Sequence, residues 1–153
     1  MATASRLPPG AFVWCRFPLR EAHREPGPRD HLHVVYVLDT ADGKAVCVYT
    51  TSVTWPGNKP LPFGVIVVPS KDAAEMEQKT FVLDARRIGI FPLTTDWFPD
   101  LDKPGNGILH VAPKPFQRKV QQAALEVAKR RELIEWFGPG MPDNPKPPEA
   151  GNR

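Results

Sequence analysis

Proline limits what this chain can fold into. The sequence has 19 prolines among 153 residues, against a usual share of roughly 5%. Proline breaks helix interiors and interrupts central strands. This content therefore favours a core of short β-strands joined by turns.

The clearest pair of strands lies between Gly27 and Ser52. Two runs rich in β-branched and aromatic residues, 32–38 and 45–52, flank a polar turn at residues 39–44. Gly43 stands where a tight hairpin turn requires a positive φ. The pattern predicts an antiparallel hairpin.

Polar residues gather at the open end of this hairpin, because an antiparallel pair places the start of one strand beside the end of the other. They are Arg29, Asp30, His31 and His33 on the first strand, and Thr50, Thr51 and Ser52 on the second. The arginine can clamp a phosphate, the hydroxyls can donate to its oxygens, and either imidazole can move a proton near neutral pH. Asp84 can orient an imidazole. The set suits phosphodiester cleavage without a metal, with the 2′-hydroxyl of RNA as the nucleophile.

Each of these residues also has a purely structural interpretation. Arg29 and Asp30 can form a surface ion pair, and histidines on strands are usually only half-buried. Threonine and serine at strand ends commonly cap turns. Asp84 can pair with its neighbours Arg86 and Arg87. Only the convergence of these residues favours a site, and it depends on the predicted strand pairing.

The remaining segments predict one β-rich domain over residues 10–137. Further strands are expected at 11–17, 63–68, 80–92 (bent near 84–87) and 108–112, with a short helix at 72–78. Residues 94–107 form a loop with exposed-looking Trp97 and Phe98, and the charged loop 18–28 should be mobile. Pro113 and Pro115 open an amphipathic helix that Gly138 ends. We expect a mainly β fold with some α: a small barrel or strongly curved sheet capped by that helix.

Both ends of the chain are expected to be disordered. Residues 1–9 form a short leader, and residues 138–153, with five prolines and three glycines, form a tail. No apolar signal region precedes the domain, and the apolar runs are far shorter than the ~20 residues of a bilayer helix. These features predict a cytoplasmic protein with no membrane segment.

Composition narrows the chemistry further. Cys15 and Cys47 lack the CxxC spacing of a zinc site and are expected to be buried thiols. No metal or other cofactor is indicated. The formal net charge is +3 and the pI is about 9.0, which permits a polyanionic partner without requiring one. The basic excess lies in the predicted helix, where a solvated outer face is the simpler interpretation.

The order of these segments resembles the PemK/MazF family of toxin endoribonucleases. Residues 10–14 (Gly-Ala-Phe-Val-Trp), Gly27-Pro-Arg29 and residues 34–38 and 46–52 match in order. Residues 83–88 look like the Asp-Gln-x-Arg-Thr-Ile/Val segment of that family. The helix after Pro115 stands where its last helix would be. The resemblance spans roughly residues 9–137.

This resemblance implies an SH3-like barrel of the PemK/MazF/CcdB type, usually a homodimer that holds single-stranded RNA in the dimer groove. It implies metal-independent cleavage to a 2′,3′-cyclic phosphate, and neutralisation by a cognate antitoxin protein in the same groove. Arg29 then matches the catalytic arginine, Thr50 or Thr51 the catalytic hydroxyl and Asp84 the acidic position, while His33 or Asp84 moves or orients the proton. The expected RNA contacts are Arg20, Arg24, His31, Ser52, Arg86 and Arg87.

Two other functions stay open. Asp30 replaces the proline that follows the family's arginine, and Val82 stands where some members carry an arginine. These differences favour a non-catalytic SH3-like interaction module, or a relative of the gyrase poison on this fold, that binds through Trp55, Trp97 and Phe98. The second alternative is a plain RNA or DNA binder that uses the basic helix, and its binding would depend strongly on salt.

Overall fold

Seven strands form one sheet. The computed structural model describes residues 7–52 and 60–144. The strands are β1 (Ala11–Cys15), β2 (His33–Ala41), β3 (Lys44–Thr51), β4 (Val65–Val67), β5 (Val82–Pro92), β6 (His110–Val111) and β7 (Glu135–Phe137). The α-helices are α1 (Ser70–Glu75) and α2 (Lys114–Ala128), with short 3-10 turns at Arg20–Ala22, Pro104–Gly107 and Arg131–Leu133.

The sheet is open rather than closed into a barrel. Its order is β4-β5-β3-β2-β1-β6, every pair on this path is antiparallel, and β7 pairs in parallel with β5. Within residues 7–52 and 60–144 the end strands β4 and β6 do not pair, so the barrel predicted from the sequence is corrected to an open sheet. A 2.7 Å hydrogen bond between Asp72 of α1 and His110 of β6 links the helix that follows one end strand to the other end strand.

The central hairpin is confirmed, but its turn is shorter than the predicted 39–44, because residues 39–41 belong to β2 and Lys44 begins β3. Asp42 and Gly43 connect β2 to β3 with φ values of 55° and 74°, as the two central residues of a type I′ turn require. The predicted bend in β5 is also confirmed. Val48 of β3 pairs with Ile88, but its neighbour Tyr49 pairs with Asp84, so residues 85–87 bulge out of the ladder.

Both faces of the sheet are covered, each by its own apolar core. The α2 side packs around Phe12, Tyr36 and Leu83, and the opposite side packs around Phe17, Phe91 and Phe137. Val34 to Val37 are therefore all buried, although side chains alternate between the two faces of a strand. Cys15 and Cys47 are buried in the second core as predicted, and burial raises the pKa of both thiols.

The loop at residues 94–107 corrects one expectation. Trp97 and Phe98 are 5% and 1% exposed rather than solvent-facing, because the Trp97 ring stacks on Phe91 at 4.8 Å. The apolar patch expected from these two residues is therefore absent. Trp55, the third member of that patch, lies outside the described residues.

The C-terminal third corrects another expectation. Helix α2 begins as predicted but ends at Ala128, and Glu135–Phe137 forms β7 instead of a last helical turn. Residues 138–144 are not a free tail, because Asn144 binds the backbone of Trp136 through two hydrogen bonds. Leu7, assigned to the leader, is fully buried. Residues 1–6 of the leader and 145–153 of the tail lie outside the described residues. No helix in the described part of the chain is long and apolar enough to cross a membrane.

Candidate active site

An open pocket of about 310 Å³ lies at the end of the hairpin where the sequence places the polar residues. Both imidazoles and all three hydroxyls of the predicted set line it. The lining comprises Trp14, His31, Leu32, His33, Val34, Thr50, Thr51, Ser52, Gln78 and Phe81. The antiparallel pairing of β2 and β3 thus brings together five of the polar side chains that the sequence predicts to converge.

The two histidines are the titratable side chains among the lining residues of this pocket. The rings of His31 and His33 are 5.0 Å apart between centroids and meet edge to face. Burial lowers the pKa of His33, and the neighbouring His31 lowers it further. His33 therefore favours its neutral form, in which one ring nitrogen can accept a proton.

The hydroxyls differ in what they can do. Thr50 is 4% exposed, and its hydroxyl donates a hydrogen bond to the backbone oxygen of Val34 on the neighbouring strand. Its proton is thus engaged in joining β3 to β2, which is the structural interpretation of this residue. Thr51 is half-buried and Ser52 is exposed at the rim, where it can reach a bound molecule.

Arg29 does not line this pocket. It lies in an exposed turn, where the N–H of His31 donates to the oxygen of Pro28 at 3.2 Å. None of the residues that the structure describes forms a hydrogen bond or ion pair with its side chain. The sequence places Arg29 beside the hydroxyls, whereas the structure leaves its guanidinium in solvent two residues before His31.

Asp84 is committed to a different partner. Its carboxylate accepts hydrogen bonds from Arg86 Nε at 2.8 Å and Nη2 at 2.9 Å, and from the Arg86 backbone at 3.0 Å. Asp84 does not line the histidine pocket. It lines a smaller, separate pocket that is bordered by arginines. The structural ion pair is therefore the interpretation that the geometry supports, rather than the orientation of a histidine.

A second depression, of about 250 Å³, shares both histidines with the first. Apart from the histidines and two arginines, the residues that line this depression are apolar or aromatic. The lining comprises Phe17, Pro18, Leu19, Arg20, His31, His33, Tyr49, Arg87 and Phe137. The side chains of Arg20 and Arg87 both contact Glu135 of β7. The predicted RNA contacts Arg20 and Arg87 thus lie beside the histidines.

The charged loop at residues 18–28 is held rather than free. Arg16 and Gly27 close its base, with hydrogen bonds from Arg16 Nε to the Gly27 oxygen and from the Gly27 N–H to the Arg16 oxygen. A side chain at Gly27 would place its Cβ 2.2 Å from the oxygen of Phe17, so only glycine allows this approach. Arg24, a predicted RNA contact, instead binds Asp143 at 2.7 Å and the backbone oxygen of Met141.

Two residues of this region were missed by the sequence analysis. Glu135 was placed in the predicted helix, although its segment Ile-Glu-Trp-Phe carries the β-branched and aromatic residues typical of a strand. Tyr49 has no role predicted from the sequence, yet its ring lies between His33 and Arg87. Alternation along β3 places Tyr49 on the same face as Thr51, and this was the available signal.

The donor groups do not form a metal centre in the described part of the chain. Among residues 7–52 and 60–144, no three His, Cys, Asp or Glu side chains lie close enough together to hold a metal ion. No protein-family model and no curated protein sequence matches this chain.

Proposed function

We propose that this protein is a metal-independent endoribonuclease that cleaves single-stranded RNA, a toxin of the PemK/MazF type. The observation that carries the proposal is one open pocket lined by two imidazoles 5.0 Å apart and by the hydroxyl residues at the end of β3. Paired imidazoles supply both proton transfers of phosphodiester cleavage.

Neutral His33 is the proton acceptor of the first step. It takes the proton of the ribose 2′-hydroxyl, and the freed oxygen attacks the adjacent phosphorus. The bond from phosphorus to the 5′ oxygen of the next nucleotide breaks, which leaves a 2′,3′-cyclic phosphate. His31 in its protonated form donates a proton to the departing 5′ oxygen. Each proton taken from one oxygen is thus balanced by one given to another.

Arg29 stabilises the negative charge that develops on the non-bridging phosphate oxygens once RNA is bound. It stands two residues before His31, so their Cα atoms are separated by at most ~7 Å. Its guanidinium has no partner among the described residues and can turn towards the pocket without breaking an ion pair. Ser52 at the rim adds a hydroxyl donor for the phosphate.

The family assignment extends this proposal to the fold and the partners. We place the open sheet and its C-terminal helix with the SH3-like barrels of PemK/MazF toxins, on the order of the matched segments and the hairpin-centred sheet. The homodimer and the cognate antitoxin belong to the same proposal. The burial of Trp97 and Phe98 removes these two residues from the patch that had favoured a non-catalytic interaction module.

The test compares two histidines in one cleavage assay. Purified protein is incubated with a long single-stranded RNA in EDTA, and the products are analysed by gel electrophoresis and for 2′,3′-cyclic phosphate ends. We expect His33→Gln to slow cleavage by about 10²-fold or more, the usual contribution of a proton-transferring side chain. His23→Gln is the matched control, because His23 contacts Pro142 away from the pocket. Intact RNA with the unaltered protein, or equal rates for the two variants, would refute the proposal.

A further inference from the structure

Three charged side chains beside the histidines form a triad that the cleavage step does not use. Arg20 and Glu135 make two parallel hydrogen bonds, Nε to Oε2 at 2.9 Å and Nη2 to Oε1 at 2.8 Å. Arg87 Nε lies 3.4 Å from the same Oε1. The carboxylate of Glu135 therefore contacts the guanidinium groups of both arginines.

This sharing leaves the triad with one uncompensated positive charge. The side chains of Arg20, Arg87 and Glu135 are 50%, 26% and 26% exposed, so they border solvent instead of lying in the core. Each guanidinium has five N–H donors, and the contacts with Glu135 occupy only part of them. Such a pair of arginines is suited to receive a second anion.

The triad is distinct from the neighbouring pair of Asp84 and Arg86. There, one carboxylate binds one guanidinium through both of its oxygens and also accepts a backbone N–H. That carboxylate and guanidinium compensate each other, so the uncompensated positive charge of this surface belongs to Arg20 and Arg87.

Aromatic rings connect the triad to the histidines. The guanidinium of Arg87 lies over the Tyr49 ring at 4.8 Å, and the rings of Tyr49 and His33 are 5.3 Å apart. The depression between them has an apolar floor that includes Phe17, Pro18 and the exposed Leu19. Apolar floors with flanking arginines are typical of sites that hold an unpaired base and its phosphate.

We propose that this depression is a second nucleotide subsite, for the single-stranded RNA residue adjacent to the one that is cleaved. The inference rests on the proposed ribonuclease function. The phosphate binds Arg20 and Arg87, and the base lies on the apolar floor beside the exposed Leu19. Glu135 competes with the phosphate for the same two guanidiniums and therefore weakens binding of every oligonucleotide that reaches the subsite.

Binding is measured separately from cleavage to test this subsite. The probe is a fluorescent single-stranded 2′-deoxy oligonucleotide, which lacks the nucleophile and is not cut, and its affinity is measured by anisotropy over a series of salt concentrations. Loss of a charge-assisted phosphate contact weakens binding by about tenfold. We expect this loss for Arg20→Gln and for Arg87→Gln, each with a salt slope lower by about one.

Matched variants sharpen the test. Arg118→Gln makes the same charge change on the exposed face of α2 and should leave the affinity unchanged, while Glu135→Gln should raise it severalfold. The subsite proposal is wrong if Arg118→Gln lowers the affinity for the oligonucleotide as much as Arg87→Gln does. It is also wrong if Glu135→Gln binds the oligonucleotide more weakly than the unaltered protein.

Failure of the subsite and failure of the ribonuclease give different results. If RNA is cleaved while Arg20→Gln and Arg87→Gln bind the oligonucleotide normally, only the subsite is wrong. If both variants lose affinity while the unaltered protein leaves RNA intact, the subsite stands as a nucleotide-binding site and the cleavage assignment is wrong.

Discussion

Replacing Thr50 by valine tests whether its hydroxyl holds the hairpin or takes part in chemistry. Valine has nearly the same shape as threonine but lacks the donor that binds the backbone oxygen of Val34. Thr50 and Val34 are buried, at 4% and 6% exposure, so water does not readily replace the lost hydrogen-bond donor. The carbonyl of Val34 is then left without this hydrogen bond at the edge of the histidine pocket.

The expected cost follows from that burial. A buried acceptor that loses its partner costs about 1–3 kcal/mol. For a chain of this size, each kcal/mol lowers Tm by about 2–4 °C, so Thr50→Val should melt roughly 2–12 °C lower. RNA cleavage at 25 °C should stay within about threefold, because the engaged hydroxyl contributes no more than a fraction of the 10²-fold typical of a catalytic group.

Urea denaturation and thermal melting by circular dichroism measure the first effect, and the RNA cleavage assay measures the second. Thr95→Val serves as the control, since Thr95 is exposed in a loop and its replacement should change stability by no more than about 0.5 kcal/mol. If Thr50→Val is as stable as the unaltered protein, the hydrogen bond has no structural weight. If it is stable but inactive, Thr50 acts in the chemistry and the structural role argued from its geometry is wrong.

Two further predictions concern titratable groups. His110→Ala should lower the free energy of unfolding by about 1–3 kcal/mol, because it leaves the carboxylate of Asp72 without its partner. The loss should be smaller in the double variant that also carries Asp72→Ala, and urea denaturation measures both. Acidification should destabilise the protein through His33, because the pKa of His33 in the folded protein lies below its ordinary value of 6.5. Between the folded and the unfolded pKa the unfolded chain binds more protons, so stability falls as the pH drops from 6.5. Melting curves over pH 4–8 should show a smaller decline for His33→Gln than for His23→Gln, and parallel curves would contradict the assignment.

Features encoded by neighbouring residues could be predicted from the sequence. The hairpin turn depends on Asp42 and Gly43, which tolerate positive φ, and the bend in β5 was visible as a polar interruption in an apolar run. The gathering of His31 and His33 with the hydroxyls followed from antiparallel pairing alone. These predictions needed no knowledge of distant contacts.

Features that depend on distant contacts were not predictable. Trp97 was expected in solvent because its loop is polar, but it is buried by stacking on Phe91. The end of α2 was missed because Ile134 fits both the helical spacing and a strand, and only pairing with β5 selects the strand. Side-chain direction within a turn is equally invisible, which is why Arg29 was expected inside the pocket.

The second core makes the two halves of the polypeptide depend on each other during synthesis. Leu7 and Phe17 share that core with Phe137, so side chains more than a hundred residues apart meet there. Until Phe137 has emerged from the ribosome, Phe17 and Phe91 lack this neighbour in the second core. Such long-range closure slows folding and prolongs the exposure of apolar surface. We therefore expect ribosome-bound fragments that end before β7 to stay protease-sensitive, while fragments that extend past it become resistant.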